Sequence, residues 1–116
     1  MIIPAQFAQQ WIDAWNRHDV ATLMSFYAEN IQLRSPLAKV YAQDGLIRNK
    51  KELEVYWTEV LRRLPNLKLK LVATYAGRTA LSLHYIDDGG RNVIETMVFD
   101  DRDKVIIETA CFDRLR

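Results

Sequence analysis

Beyond Pro65 the sequence carries no helical period, only apolar–polar alternation cut by turn residues, so that half of the chain reads as sheet. Leu67, Leu69 and Leu71 alternate with Lys68 and Lys70. Tyr75-Ala76-Gly77-Arg78 then predicts a turn into a strand from Thr79 to Ile86. Asp88-Gly89-Gly90-Arg91 predicts a tight hairpin with Gly89 and Gly90 as its two loop residues, because glycine takes the positive φ such loops need. Asn92 to Phe99 returns, Asp100-Asp101-Arg102-Asp103 turns again, and Val105 to Asp113 completes a meander.

The first half has the opposite period. Phe7, Trp11 and Trp15 recur every fourth residue after Pro4, placing three rings on one face of a helix that runs to about Arg17. Asp19 is the expected N-cap of a shorter second helix carrying Val20, Leu23, Met24, Phe26 and Tyr27, ended by Glu29-Asn30. Ile31 to Ser35 alternates and Pro36 closes it as a strand, with Ser35 on the face of Ile31 and Leu33. Leu37 to Arg48 reads as a loop. Asn49 and Glu52 then form a capping-box start for a helix whose stripe is Leu53, Tyr56, Trp57, Val60, Leu61 and Leu64. Helices first and strands after predict an α+β fold, with the N-terminal helices packed on an antiparallel sheet.

Composition bounds what such a fold is for. A chain of 116 residues with 49% apolar content makes one domain, spanning 1–116, with room for one sizeable core. Sixteen basic against fifteen acidic residues leave a net charge of +1, which excludes a protein built around a cationic nucleic-acid surface. Cys111 has no partner for a disulfide and reads as a small apolar strand residue. The N-terminus lacks the basic start and apolar stretch of a signal peptide, and no run approaches membrane-spanning length. A cytoplasmic protein with no membrane partner is the expectation.

Counting across the hairpins gives a sharper expectation. If Gly89 and Gly90 are the loop, His84 opposes Glu95; if Asp101 and Arg102 are the next, Glu95 opposes Glu108. Three ionisable residues would then share one row on one face. An odd loop would break the row. That face would also hold Met97 and Phe112, while Leu81, Leu83 and Tyr85 would lie on the other. Alternation alone leaves open which face meets the helices. Turned inward, the row lines a pocket with Trp11, Trp15, Tyr56 and Trp57; turned outward, it sits in water. Both faces are apolar enough to need a cover, and a second copy of the chain is the simplest cover for the outer one.

Trp11-Ile12-Asp13-Ala14-Trp15-Asn16-Arg17-His18-Asp19, Phe26-Tyr27-Ala28-Glu29-Asn30-Ile31, Arg34-Ser35-Pro36, Ile94-Glu95-Thr96-Met97-Val98-Phe99 and Lys104-Val105-Ile106 together resemble the SnoaL-like branch of the nuclear transport factor two-like superfamily. The resemblance spans nearly the whole chain. It implies a cone-shaped, cystatin-like α+β barrel, a curved antiparallel or mixed sheet wrapped around the helices, with a pocket inside and homodimerisation through the outer sheet face. It also implies kinship with ketosteroid isomerase and polyketide cyclases. Laid over the isomerase, its oxyanion tyrosine falls on Trp11, its general-base aspartate on Ser35, and its protonated second acid on Glu95. Ser35 cannot abstract a proton as a carboxylate does, so isomerisation of that type is not expected. The overlay points Glu95 inward.

The expected catalytic set is therefore His84, Glu95 and Glu108, in a ligand pocket of Trp11, Trp15, Ser35, Tyr56, Trp57, Met97 and Phe112. A carboxyl in an apolar pocket keeps its proton, and two opposed carboxyls share one. Glu95 would act as acid or hydrogen-bond donor and His84 as base. A buried His84–Glu95 pair that merely fixes register is the structural alternative. One histidine and two glutamates on adjacent strands converge poorly on a metal, so neither metal nor cofactor is expected. Two functions remain: a pocket protein running isomerase, cyclase or lyase chemistry on an apolar, oxygenated ligand, and a non-catalytic dimeric binding module.

Overall fold

The structure is a computed structural model, and it describes residues 1–115. Helix α1 (Pro4–Asn16) starts on Pro4 and buries Phe7, Trp11 and Trp15 along one stripe. A Trp ring buries roughly 200 Å², so Trp11, 1% exposed, brings about 5 kcal/mol of hydrophobic stabilisation. Asp19 caps α2 (Val20–Ser25) by accepting the Thr22 N–H at 3.0 Å. Helix α3 (Lys50–Arg63) opens on a variant of the capping box: Asn49 accepts the Glu52 N–H at 2.8 Å, and the Glu52 carboxylate reaches back to the Arg48 N–H and the Asn49 side-chain amide rather than to the Asn49 backbone N–H. Its buried stripe is Leu53, Tyr56, Trp57 and Leu61.

The helices lie on a curved six-stranded mixed sheet of order β2-β1-β6-β5-β4-β3. Its members are β1 (Tyr27–Arg34), β2 (Leu46–Ile47), β3 (Lys70–Gly77), β4 (Ala80–Ile86), β5 (Asn92–Phe99) and β6 (Val105–Phe112). The last four form the expected meander, and β1 joins it in parallel with β6. Four boundaries differ from the sequence reading. Helix α2 stops at Ser25, and Tyr27 to Asn30 are already strand, because the Phe26 carbonyl takes the Val105 N–H at 2.9 Å and starts the β1–β6 pairing. The segment read as loop after Pro36 holds a 3₁₀ turn (Pro36–Val40) and strand β2. Strand β3 begins later, at Lys70, and continues through Tyr75 to Gly77. Cys111 points outward and is exposed.

The segment before β3 is held from the helices instead. Asn16 bonds Leu69 on both backbone sides, donating to its carbonyl at 3.0 Å and accepting its N–H at 2.7 Å. His18 is half-buried at positive φ and bonds the Leu67 carbonyl at 3.2 Å. Leu67 and Leu69 are thereby packed inward without belonging to the sheet.

Candidate functional site

Register decides which side chains reach the interior. The loop between β4 and β5 has three residues, Asp88 to Gly90, not two. Asp87 imposes that length: one carboxylate oxygen accepts the N–H groups of Gly89 and Arg91, at 2.9 Å each, and the other takes the Arg91 guanidinium at 2.8 Å. Gly90 supplies the positive φ of 83°. An odd loop reverses the facing of β4 against the sequence count. Glu95 therefore opposes Leu83, and His84 opposes Ile94. His84 lies on the outer face, where its ring bonds Asn92 at 2.8 Å. It is not in the row with Glu95, and the base assigned to it does not reach the interior. Leu81, Leu83 and Tyr85, expected outside, are buried.

The second turn repeats the device. Asp100 accepts the N–H groups of Arg102 and Lys104 at 2.9 and 3.0 Å, and Asp103 takes a positive φ of 60°. Here a bulge follows, since Phe99 opposes Val105 while Val98 opposes Ile107, leaving Ile106 over. Odd loop plus odd bulge restores an even count. Glu108 lands opposite Met97, diagonal to Glu95 and on the same inner face.

Glu95 and Glu108 are 7% and 0% exposed. Tyr85 donates to one oxygen of Glu95 at 2.7 Å, and Tyr27, itself accepting from Trp11 Nε1 at 2.9 Å, donates to one oxygen of Glu108 at 2.5 Å. The oxygens left over, Glu95 Oε1 and Glu108 Oε2, have no donor among the described residues. The two lie on neighbouring strands of one inner face, where a carboxyl that keeps its proton can donate to the other. Burial, and then the neighbouring Glu95 charge, push Glu108 well above the ordinary carboxyl range. Burial also raises Glu95, opposed by its bonds from Glu108 and Tyr85. Burial thus favours the protonated form of both carboxyls. Burial, and then the neighbouring Glu108 for Tyr27 and Glu95 for Tyr85, drive both phenols far up, fixing them as donors.

This pair lies in the wall of a cavity of about 470 Å³ between α3, the 3₁₀ turn and the sheet. Trp15, Ser35, Tyr56, Trp57 and Phe112 line it with Glu95 and Glu108. Trp11 and Met97, also expected there, are packed behind the lining within the core. Trp15 stacks edge-on against Trp57 at 5.0 Å and Trp11 at 5.9 Å. Its Nε1 is buried with no acceptor among the described residues, a donor whose isolation costs about 1–3 kcal/mol. Tyr56 is pushed up to about 12, chiefly by burial. At the mouth the Arg91 guanidinium sits 4.9 Å over the Phe112 ring while paired with Asp87. Sequence reasoning missed Tyr27 and Tyr85. The signal was their hydroxyls, which a buried position obliges to find partners. Among the described residues, no three His, Cys, Asp or Glu gather in a way that could hold a metal ion.

Residues 8–109 match the model of the SnoaL-like domain. The chain belongs to the SnoaL-like family. A SnoaL-like protein of unknown function from Burkholderia thailandensis E264 is 34% identical, with a TM-score of 0.91 over 95% of this chain and 93% of that one. More distant solved structures share the fold. A candidate polyketide cyclase from Streptomyces antibioticus is 14% identical (TM-score 0.79, covering 97% and 93%). A candidate isomerase of the SnoaL-like family from Agrobacterium tumefaciens C58 is also 14% identical (TM-score 0.72, covering 95% and 97%). No protein of curated function matches this SnoaL-like chain by sequence. Among the described residues no helix is long and apolar enough to cross a membrane.

Proposed function

We propose that this SnoaL-like protein binds an apolar, oxygenated small molecule and carries out acid–base chemistry of isomerase, cyclase or lyase type on it. The observation that carries the reading is the Glu95–Glu108 pair, two buried carboxyls on one inner face of the sheet in the wall of an apolar cavity. Ser35 occupies the position of the isomerase base, and Glu95 replaces that function from the sheet. A carboxylate whose proton affinity is raised by burial is a stronger base at neutral pH than a solvated one. Glu108 positions it and supplies the returning proton. The candidate cyclase and isomerase that share this fold fit such chemistry.

Solvent exchange tests it. In D2O, wild type is expected to deuterate the α-carbons of flat apolar ketones faster than buffer does, and Glu95→Gln to return the rate to that of buffer. A wild type no faster than buffer across the ketone series sinks the acid–base reading.

The second reading, association, has its own support. The outer faces of β4, β5 and β6 carry no Asp, Glu, Lys or Arg, and Ile94 and Ile107 are exposed there. A second copy of the chain is the proposed cover. Sedimentation should find a dimer that Ile107→Arg dissociates; a wild-type monomer at all concentrations would refute it.

A further inference from the structure

Around the cavity, the unpartnered buried side-chain atoms are two acceptors and one donor. Tyr85 and Tyr27 each donate to one oxygen of Glu95 and Glu108, and the other oxygens, Glu95 Oε1 and Glu108 Oε2, are acceptors with no donor among the described residues. Arg91 is held by Asp87. Trp15 Nε1 is the one buried donor on a cavity-lining side chain that finds no acceptor among the described residues. Indole is a donor only. A water that settled there would need further polar partners, and the rings packed on Trp15 are those of Trp57 and Trp11. A ligand oxygen brings its own apolar frame into the same space.

We infer that Trp15 Nε1 is the specificity-determining donor of this site. The occupant is then an apolar molecule presenting an acceptor oxygen, a carbonyl or ether, and the corresponding hydrocarbon is discriminated against. The inference rests on the pocket reading above and deepens it by naming the group that the ligand must carry. The ring contacts that fix Trp15 against Trp11 and Trp57 hold the N–H in one orientation, so the donor is preorganised and its selectivity is steep. Trp15, Glu95 and Glu108 line the same cavity, and Trp11 joins the Trp15 ring to that of Tyr85, the partner of Glu95.

The probes are 2-tetralone and tetralin, a carbonyl compound and its hydrocarbon frame. Wild type is expected to bind the ketone more tightly. Trp15→Phe, which keeps the ring and removes the N–H, is expected to weaken the ketone about tenfold and leave tetralin unchanged. In wild type, the indole N–H resonance of Trp15 should move downfield with the ketone and not with the hydrocarbon, a readout that stands even where the variant folds poorly. Equal affinity for both probes, or a ketone preference that survives Trp15→Phe, overturns the inference and leaves the pocket reading intact. Binding of neither probe by wild type overturns both.

Discussion

The turns Asp87–Arg91 and Asp100–Lys104 use the same device. In each, three residues are bridged by an aspartate that gathers two backbone N–H groups, with a left-handed residue before the returning basic one. Only the second is followed by a bulge. The first turn sends His84 to the outer face; the second, corrected by Ile106, keeps Glu108 inside beside Glu95. Loop length alone therefore does not fix which face a strand presents. The sum of loop and bulge residues does, because side chains alternate with a period of two and each extra residue reverses them.

Substitutions on the two sides of this difference should separate widely. Glu108→Ala opens a void at a fully buried site and strips the Tyr27 hydroxyl of its acceptor. It should cost about 2–4 kcal/mol in urea denaturation; a loss below that of an ordinary surface substitution would mean that Glu108 is not held inside.

The pH dependence sharpens the same point. The folded pKa of Glu108 is raised above its unfolded value, so its contribution is complete below about pH 4.3 and drains away as pH rises toward the folded pKa. Wild type should lose up to about 1.4 kcal/mol of stability per pH unit in that window, relative to Glu108→Gln, which does not titrate. Parallel curves for the two proteins would show that no proton is shared.

Removing a turn anchor probes the shared device. Asp87→Ala should cost about 1–2 kcal/mol, since it releases two N–H groups and the buried Arg91. Asp100→Ala, which frees no paired cation, should cost less; the reverse order in thermal melts would contradict the burial at Asp87. His84→Ala should change stability by no more than about 0.5 kcal/mol, and a larger loss would place His84 inside.

Much of this was legible before any coordinates. The α3 stripe and its Asn49–Glu52 start and the Trp15 face of α1 follow from local periods. Glu95 and Glu108 share a face as counted, but through a bulge that offsets an odd loop rather than through the two-residue loop expected. The first half of β1 was hidden because Tyr27 to Asn30 become strand only by pairing with β6, a contact made at long range in the sequence. His84 was misplaced because Gly89-Gly90 invites a two-residue loop, whereas the Asp87 carboxylate, one position earlier, selects three. Asp87 and Asp100 head similar runs, Asp-Asp-Gly-Gly-Arg and Asp-Asp-Arg-Asp-Lys, and that likeness was the available signal.

Cys111 opposes Ile94 on the exposed side of the sheet, and the strand positions before both, Ala110 and Val93, face inward. As the single thiol in the chain, it accepts a maleimide dye or spin label without a mutation. The reporter would stand one sheet thickness behind the carboxyl pair. Filling of the cavity and approach of another molecule to the sheet then become separable signals, the first read through the wall and the second by direct contact.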